Sequence, residues 1–350
     1  MKSKCIINLE YFLQCYGNCE GCFLKDYERQ EKSTHVHQIE KKLYQLLKEN
    51  RDYQDFIIGF GRGNILNLEK NQLQELILII KNCEHILQNK NVLYEVSTSL
   101  IGKIEKQINN ALFLLEQNRK IYFNVVINSE ITSESFWKNW NYFYSTLEQE
   151  RINWGLKDNM GDILVLNINP KKLPNIQSLK KSIGDKKSPI NIAFFPFSEN
   201  KIIEEDIVQM NEWSEKMFQT FQNQDLNIKN YLQLLGSINV ENSLENILNY
   251  HKNTEKSYWF IDKNGQLQNG SFSIMGEIDY FRLLEKYQIK PTIIQAIKMM
   301  QKQKQCAQCL YQKECLLSGA YLNLMINQNK IENSSFCLSG YQKIFASEIK

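Results

Sequence analysis

Nine cysteines stand in this chain, and seven of them fall into two clusters. Cys15-Tyr16-Gly17-Asn18-Cys19-Glu20-Gly21-Cys22 places three thiols at a C-x3-C-x2-C spacing. Thiolates hold iron–sulfur clusters well, and a cubane with only three protein ligands leaves one iron open to a small molecule. A zinc site completed by His35 or His37 is the competing reading. The second cluster is Cys306, Cys309, Cys315 and Cys337, a C-x2-C-x5-C run with a last cysteine 22 positions on. Four thiols complete the coordination of a cubane or of tetrahedral zinc. In a reducing cytoplasm clustered thiols hold metals or do redox chemistry more readily than they form disulfides. Cys5, in an apolar run, and Cys83, in a helical pattern, read as core thiols.

The elements around the first cluster form a repeat. An apolar strand over residues 5–9 leads into the cysteine loop, and a helix over 37–50 follows it. The same strand-then-helix unit recurs with strands over 55–61, 92–98, 120–128, 162–169 and 190–197. Their helices cover 68–87, 101–117, 133–154, 176–183 and 204–221. Strands rich in Ile, Val and Phe, each followed by a helix, imply an α/β fold of parallel strands with right-handed crossovers, in an open sheet or a barrel. Ligands of such folds bind at the C-terminal strand ends. The alternation stops near residue 227, and residues 257–278 read as a hairpin turning at Asp262-Lys263-Asn264-Gly265.

The three-cysteine motif after strand one resembles the signature of the radical S-adenosylmethionine (SAM) superfamily, and the six-strand run resembles that superfamily's partial barrel. The resemblance covers roughly residues 1–221. It implies a catalytic [4Fe-4S] cluster held by Cys15, Cys19 and Cys22, whose open iron binds SAM and cleaves it reductively to a 5′-deoxyadenosyl radical. The family places an aromatic residue before the third cysteine; here Gly21 stands there, and Phe23 is the candidate to replace it against the adenine. Strand two ends in Gly59-Phe60-Gly61-Arg62-Gly63-Asn64, where the family has a Gly-Gly-Glu-Pro-like turn that takes the SAM amino group. Gly63 and Asn64 align with its second glycine and its glutamate, although Asn carries no charge. Ser97 and Ser99, at the end of strand three, stand where related enzymes contact the ribose and carboxylate.

The second cluster resembles the SPASM/twitch domains of radical SAM enzymes. The cysteines of that family's first auxiliary cluster are missing: the position four after Cys315 is Gly319, the position five after Gly276 is Phe281, and no cysteine precedes Gly276 in the hairpin. The resemblance therefore implies one auxiliary [4Fe-4S] cluster on Cys306, Cys309, Cys315 and Cys337. The expected architecture is a partial (β/α)6 TIM-like barrel over 1–225, a helical linker over 226–256 and a small α+β iron–sulfur domain over 257–350. It also implies a peptide or protein substrate that is oxidatively modified, with a ferredoxin or flavodoxin as electron donor. A twitch-type enzyme acting on a small molecule or carbohydrate, and a non-catalytic zinc-binding interaction protein, are the competing readings.

Composition narrows the partners. The net charge is +3 from 42 basic and 39 acidic residues, so no global field favours nucleic acid or an anionic membrane. The apolar runs are short and the first residues lack a signal-peptide pattern, so a cytoplasmic protein is expected. His35 and His37 read as surface residues, and the spacing of Phe136, Trp140 and Phe143 reads as a core face rather than a base-stacking platform. With seven clustered thiols split three and four, anaerobic reconstitution is expected to give about eight irons and eight sulfides per chain. Stoichiometric zinc on the C-terminal set after expression with ample iron would overturn the auxiliary-cluster assignment.

Overall fold

The computed structural model describes residues 4–11, 36–61, 63–127, 133–156, 162–169, 171–184, 190–194, 203–221, 257–269, 293–312, 315–316 and 337. The strands and helices follow the alternation read from the sequence. They are β1 (Cys5–Leu9), α1 (Val36–Glu49), β2 (Asp55–Phe60), α2 (Lys70–Ile86), β3 (Asn91–Thr98), α3 (Ile104–Gln117), β4 (Ile121–Ile127), α4 (Glu134–Asn153) and β5 (Ile163–Ile168). There follow α5 (Ile176–Ile183), β6 (Ile190–Phe194), α6 (Glu204–Phe221), β7 (Tyr258–Ile261), β8 (Leu267–Asn269), α7 (Ile293–Lys302) and the short α8 (Lys304–Ala307). The strands are hydrogen-bonded in the order β6-β5-β4-β3-β2-β1-β7-β8. Pairing is parallel from β4 through β1 to β7, and the β7–β8 pair is antiparallel.

The chain divides into two compact units, residues 1–165 with 256–270, and residues 166–255 with 271–350. The boundary falls within β5. In the first unit, side chains alternate across the sheet as a strand's two-residue period requires. In β3, Val92, Tyr94, Val96 and Thr98 are buried while Leu93, Glu95 and Ser97 keep partial exposure. The buried set faces the helices: Tyr94 Oη donates to the carbonyl of Ile80 in α2, and Phe123 of β4 stacks edge-on against Phe143 of α4, ring centroids 5.7 Å apart. Each helix answers with one apolar stripe. In α1 it is Ile39, Leu43, Leu46 and Leu47, which recur at helical spacing and are buried. Phe136, Trp140 and Phe143 of α4 are likewise core, and Cys5 and Cys83 are fully buried thiols. His37 is exposed.

The hairpin differs from expectation. The sequence places it at the start of the C-terminal domain, whereas β7 lies parallel beside β1, Asn8 opposite Phe260, and residues 256–270 belong to the first unit. Two contacts hold it there. Glu10, fully buried, accepts from the Lys263 backbone N–H at 2.9 Å. Gly265, at φ +73°, lies so close to α1 that a Cβ would approach Gln38 Cβ to 2.8 Å, so only glycine suits the turn and the approach.

A buried ion pair ties α4 to the strands. The Asp162 carboxylate receives both guanidinium arms of Arg151, Nη2 at 2.9 Å, and also the Phe123 backbone N–H at 3.0 Å. Removing one partner of such a pair leaves an uncompensated buried charge. Asp162→Ala is therefore expected to lower the unfolding free energy by about 3–5 kcal/mol, read from urea denaturation. A loss under about 1 kcal/mol, the scale of an exposed pair, would mean that the pair is solvated in solution.

Candidate active site

Parallel strands in one sheet end at one edge, so the loops after β1, β2 and β3 leave the sheet side by side. The cysteine loop begins just beyond the described Tyr11; Cys15, Cys19, Cys22 and Phe23 lie outside the described residues. After β2, the Gly61 N–H continues the ladder by donating to the carbonyl of Leu9 at 3.0 Å. Gly63 is buried behind it. Asn64 is 1% exposed, and its amide joins the ends of β2 and β3: Oδ1 accepts from Thr98 Oγ1 at 2.7 Å, and Nδ2 donates to Ser99 Oγ at 3.3 Å and to the Ile101 carbonyl at 3.2 Å. Asn67 and Gln107 donate to that same carbonyl at 2.9 and 2.8 Å.

This network changes what Asn64 can do. The oxygen expected to receive the SAM ammonium already accepts the Thr98 hydroxyl, which leaves it one lone pair. Asn64 is first of all a brace between two strand ends, and Ser99 is part of the same brace. Ser97 is separate: it is half-buried on the opposite face of β3 from Thr98. The structure thus brings Gly63, Asn64 and Ser99 together and leaves Ser97 facing away from the helices.

The Ser97 face of the sheet carries polar residues the sequence reading did not single out. In register across four strands, Asn8 lies opposite Gly59, Gly59 opposite Glu95, and Glu95 opposite Tyr122. One step toward the strand ends, Ser97 lies opposite Asn124. Tyr122 Oη donates to Glu95 Oε2 at 2.6 Å, and the Asn124 side chain also bonds Glu95. Burial pushes the Glu95 carboxyl up, and these two hydrogen bonds oppose the shift. The available signal was polar residues at two-residue spacing inside strands otherwise built of Val, Ile and Phe.

In the second unit the four C-terminal cysteines are all among the described residues. α7 buries Ala296 and Met300, and its end turns through Gln303, itself buried, into α8 and Cys306. The Cys309 N–H donates to the Cys306 carbonyl at 3.1 Å, which sets two thiols on one turn. Tyr311 N–H donates to Cys309 Sγ at 3.4 Å, and the Cys315 N–H to the Tyr311 carbonyl at 3.0 Å. Asn211 of α6 holds the Cys337 carbonyl at 3.1 Å. Burial first, then the charges of Cys337 and Cys309, push the Cys306 thiol up to about 12. Among the described residues no three His, Cys, Asp or Glu side chains converge on one metal position. Cys309 and Cys337 lie close enough to Cys306 for their charges to act on it, without the thiols being drawn to a common centre.

No protein-family profile matches this chain, and no curated protein sequence matches it. Solved structures do. Hexahistidine-tagged anSMEcpe with bound AdoMet superposes with a TM-score of 0.58 at 12% identity, over 99% of this chain and 98% of that one. Native anSMEcpe with bound AdoMet and Cp18Cys peptide gives the same values, and the complex with Kp18Cys peptide gives a TM-score of 0.56. anSMEcpe is an anaerobic sulfatase-maturating radical SAM enzyme. Likeness at this identity is one of fold: the chain shares the α/β fold of anSMEcpe, a parallel sheet with helices in the manner of a partial barrel. No helix among the described residues is long and apolar enough to cross a membrane.

The brace generates a test. Asn64→Ala removes the nearer of the Thr98 hydroxyl's two acceptors, leaving Gln107 Oε1 at 3.0 Å, and thins the ring of donors on the Ile101 carbonyl. It is therefore expected to cost about 0.5–1.5 kcal/mol of stability even without SAM, measured by urea denaturation. Unchanged stability with weakened SAM binding would make Asn64 a ligand contact and not a brace.

Proposed function

We propose that this chain is a radical SAM enzyme that oxidatively modifies a peptide or protein. One observation carries the reading: a C-x3-C-x2-C loop follows the first strand of a parallel fold that matches an AdoMet-bound radical SAM enzyme over nearly the whole of both chains. In this reading Cys15, Cys19 and Cys22 hold the catalytic [4Fe-4S] cluster, and Cys306, Cys309, Cys315 and Cys337 hold an auxiliary one. When bound, the catalytic cluster and SAM together supply a 5′-deoxyadenosyl radical. The residues around the strand ends do the rest of the work. The Asn64–Thr98–Ser99 brace keeps the β2 and β3 ends at fixed spacing, so that the SAM amino-acid group meets a rigid edge. Phe23, Gly63, Ser97 and Ser99 are the residues we assign to SAM contact, with Asn64 contributing its remaining lone pair. Four thiols saturate the C-terminal site, which suits electron transfer or support of the fold and not direct ligation of substrate.

The peptide class is favoured over a small molecule or carbohydrate because the structures that match over the whole chain include two with bound peptides. A ferredoxin or flavodoxin in the cytoplasm is the electron donor in this scheme. A non-catalytic zinc protein is the remaining reading, and a brown colour after anaerobic purification speaks against it.

Replacing Cys15, Cys19 and Cys22 together by Ala is expected to abolish 5′-deoxyadenosine release while the C-terminal cluster is retained. Release above the no-protein background from that variant would remove these cysteines from the catalytic role. Cys337→Ala is expected to reduce modified product more than uncoupled SAM cleavage under dithionite, measured side by side. Parent-level activity in both assays would exclude both roles given to the second cluster.

A further inference from the structure

The face of the first unit's sheet opposite the helices that pack on Tyr94 and Phe123 carries a carboxylate with no cationic partner among the described residues. Glu95 stands mid-strand, two residues before the Ser97 level, with Gly59 on one side in register and Tyr122 on the other. Its hydrogen-bond partners are Tyr122 Oη, at 2.6 Å, and the Asn124 side chain. Among the described residues no Lys, Arg or His forms an ion pair with it. The residue as a whole is only partly buried, while its carboxyl is desolvated between the neighbouring strands.

Asn124 adds a second observation. Its amide oxygen is buried and accepts no hydrogen bond. Because Asn124 bonds Glu95 through its amide, that oxygen is a second acceptor beside the carboxylate. Two acceptors side by side, one of them anionic, with the Asn124 oxygen meeting no donor among the described residues, describe half of a recognition site. The missing half must bring N–H donors, and a positive charge suits the carboxylate best. Beside Glu95 on β2, Gly59 has no side chain and the Asn8 amide takes that space, so close that a Cβ would be 2.1 Å from Asn8 Oδ1. A larger residue at 59 would displace Asn8 and crowd the row.

We infer that Glu95 and Asn124, steadied by Tyr122, form a subsite that takes a cationic N–H group, an ammonium or a guanidinium, of a molecule entering the barrel. The inference rests on this face of the sheet being the reaction chamber of the proposed radical SAM enzyme. Two sources share this chemistry: the α-ammonium of SAM, and a Lys, Arg or amino-terminal group of a peptide substrate. Tyr122 is the positioning residue, since its hydroxyl fixes the carboxylate and does not itself face the cation. Glu95 and Asn124 are the contacts.

The test uses the full chain, anaerobically reconstituted, as parent, Glu95→Gln and Tyr122→Phe proteins. Glu95→Gln keeps an acceptor for Tyr122, removes the charge and turns the other oxygen into an N–H donor. One arm measures SAM by equilibrium dialysis. The other measures butylguanidinium and butylammonium, with neutral butyramide as the control, by ligand-observed NMR. Loss of a charge-assisted bond predicts that Glu95→Gln weakens one class of cation by about ten- to a hundred-fold, with butyramide unchanged. A drop confined to SAM assigns the subsite to its ammonium. A drop in the alkyl cations with SAM unchanged assigns it to substrate. Tyr122→Phe should give a smaller drop in the same arm. Equal affinities of parent and Glu95→Gln proteins for every cation, at equal melting temperature, would overturn the proposal. Should Glu95→Gln fail to fold, an absence of any effect in Tyr122→Phe, and of competition between butylguanidinium and butylammonium in the parent, does the same. The alkyl-cation arm needs no cluster, so it reads the subsite even if the protein fails to cleave SAM.

Discussion

Everything proposed for this protein depends on four strands running the same way in strict register. Because β1 to β4 are parallel, their C-terminal ends emerge at one edge, and a loop after β1 must leave the sheet beside the loops after β2 and β3. Parallel pairing also needs a crossover connection after each strand, here a helix, and Tyr94 and Phe123 meet those helices on one face. In the proposed function the chemistry is distributed by this geometry: the loops after β1, β2 and β3 at one edge, and the polar row of Asn8, Glu95, Tyr122 and Asn124 on the face opposite Thr98.

The same period that separates the two faces also separates structural from functional polar residues. Thr98 points toward the helices and is spent on Asn64 and Gln107, within a network that converges on the Ile101 carbonyl. Ser97, its neighbour in sequence, points the other way. Glu95 shares that second face, and its carboxylate is held by Tyr122 and Asn124 rather than by a cation. A buried hydroxyl or amide is stabilised by several such bonds, whereas a carboxylate without a counter-charge keeps a free-energy cost that a ligand can relieve.

Much of this was legible in the sequence. Element type and order followed from alternating apolar runs and helical stripes, and the six strands and six helices of the repeat appear within a few residues of where the pattern puts them. The aromatic stripe Phe136, Trp140, Phe143 was readable as core for the same reason. The hairpin was found but not its partner, because pairing of β7 with β1 spans some 250 residues and no local pattern encodes it. Asn64 was read from a turn motif, yet its side chain is committed through Thr98, 34 residues away. The Glu95 row was missed for a related reason: it exists only in the lateral register of four strands, and each strand shows one or two polar residues that look unremarkable alone.

The central claim is that one iron of the N-terminal cluster is left open by the three-cysteine set and takes SAM. Electron–nuclear double resonance on the reduced, reconstituted protein with SAM carrying 17O in its carboxylate tests this directly. The account predicts an oxygen coupling strong enough to require direct ligation to iron, absent from the Cys15, Cys19 and Cys22 triple variant. A reduced cluster with bound SAM and no such coupling would contradict it.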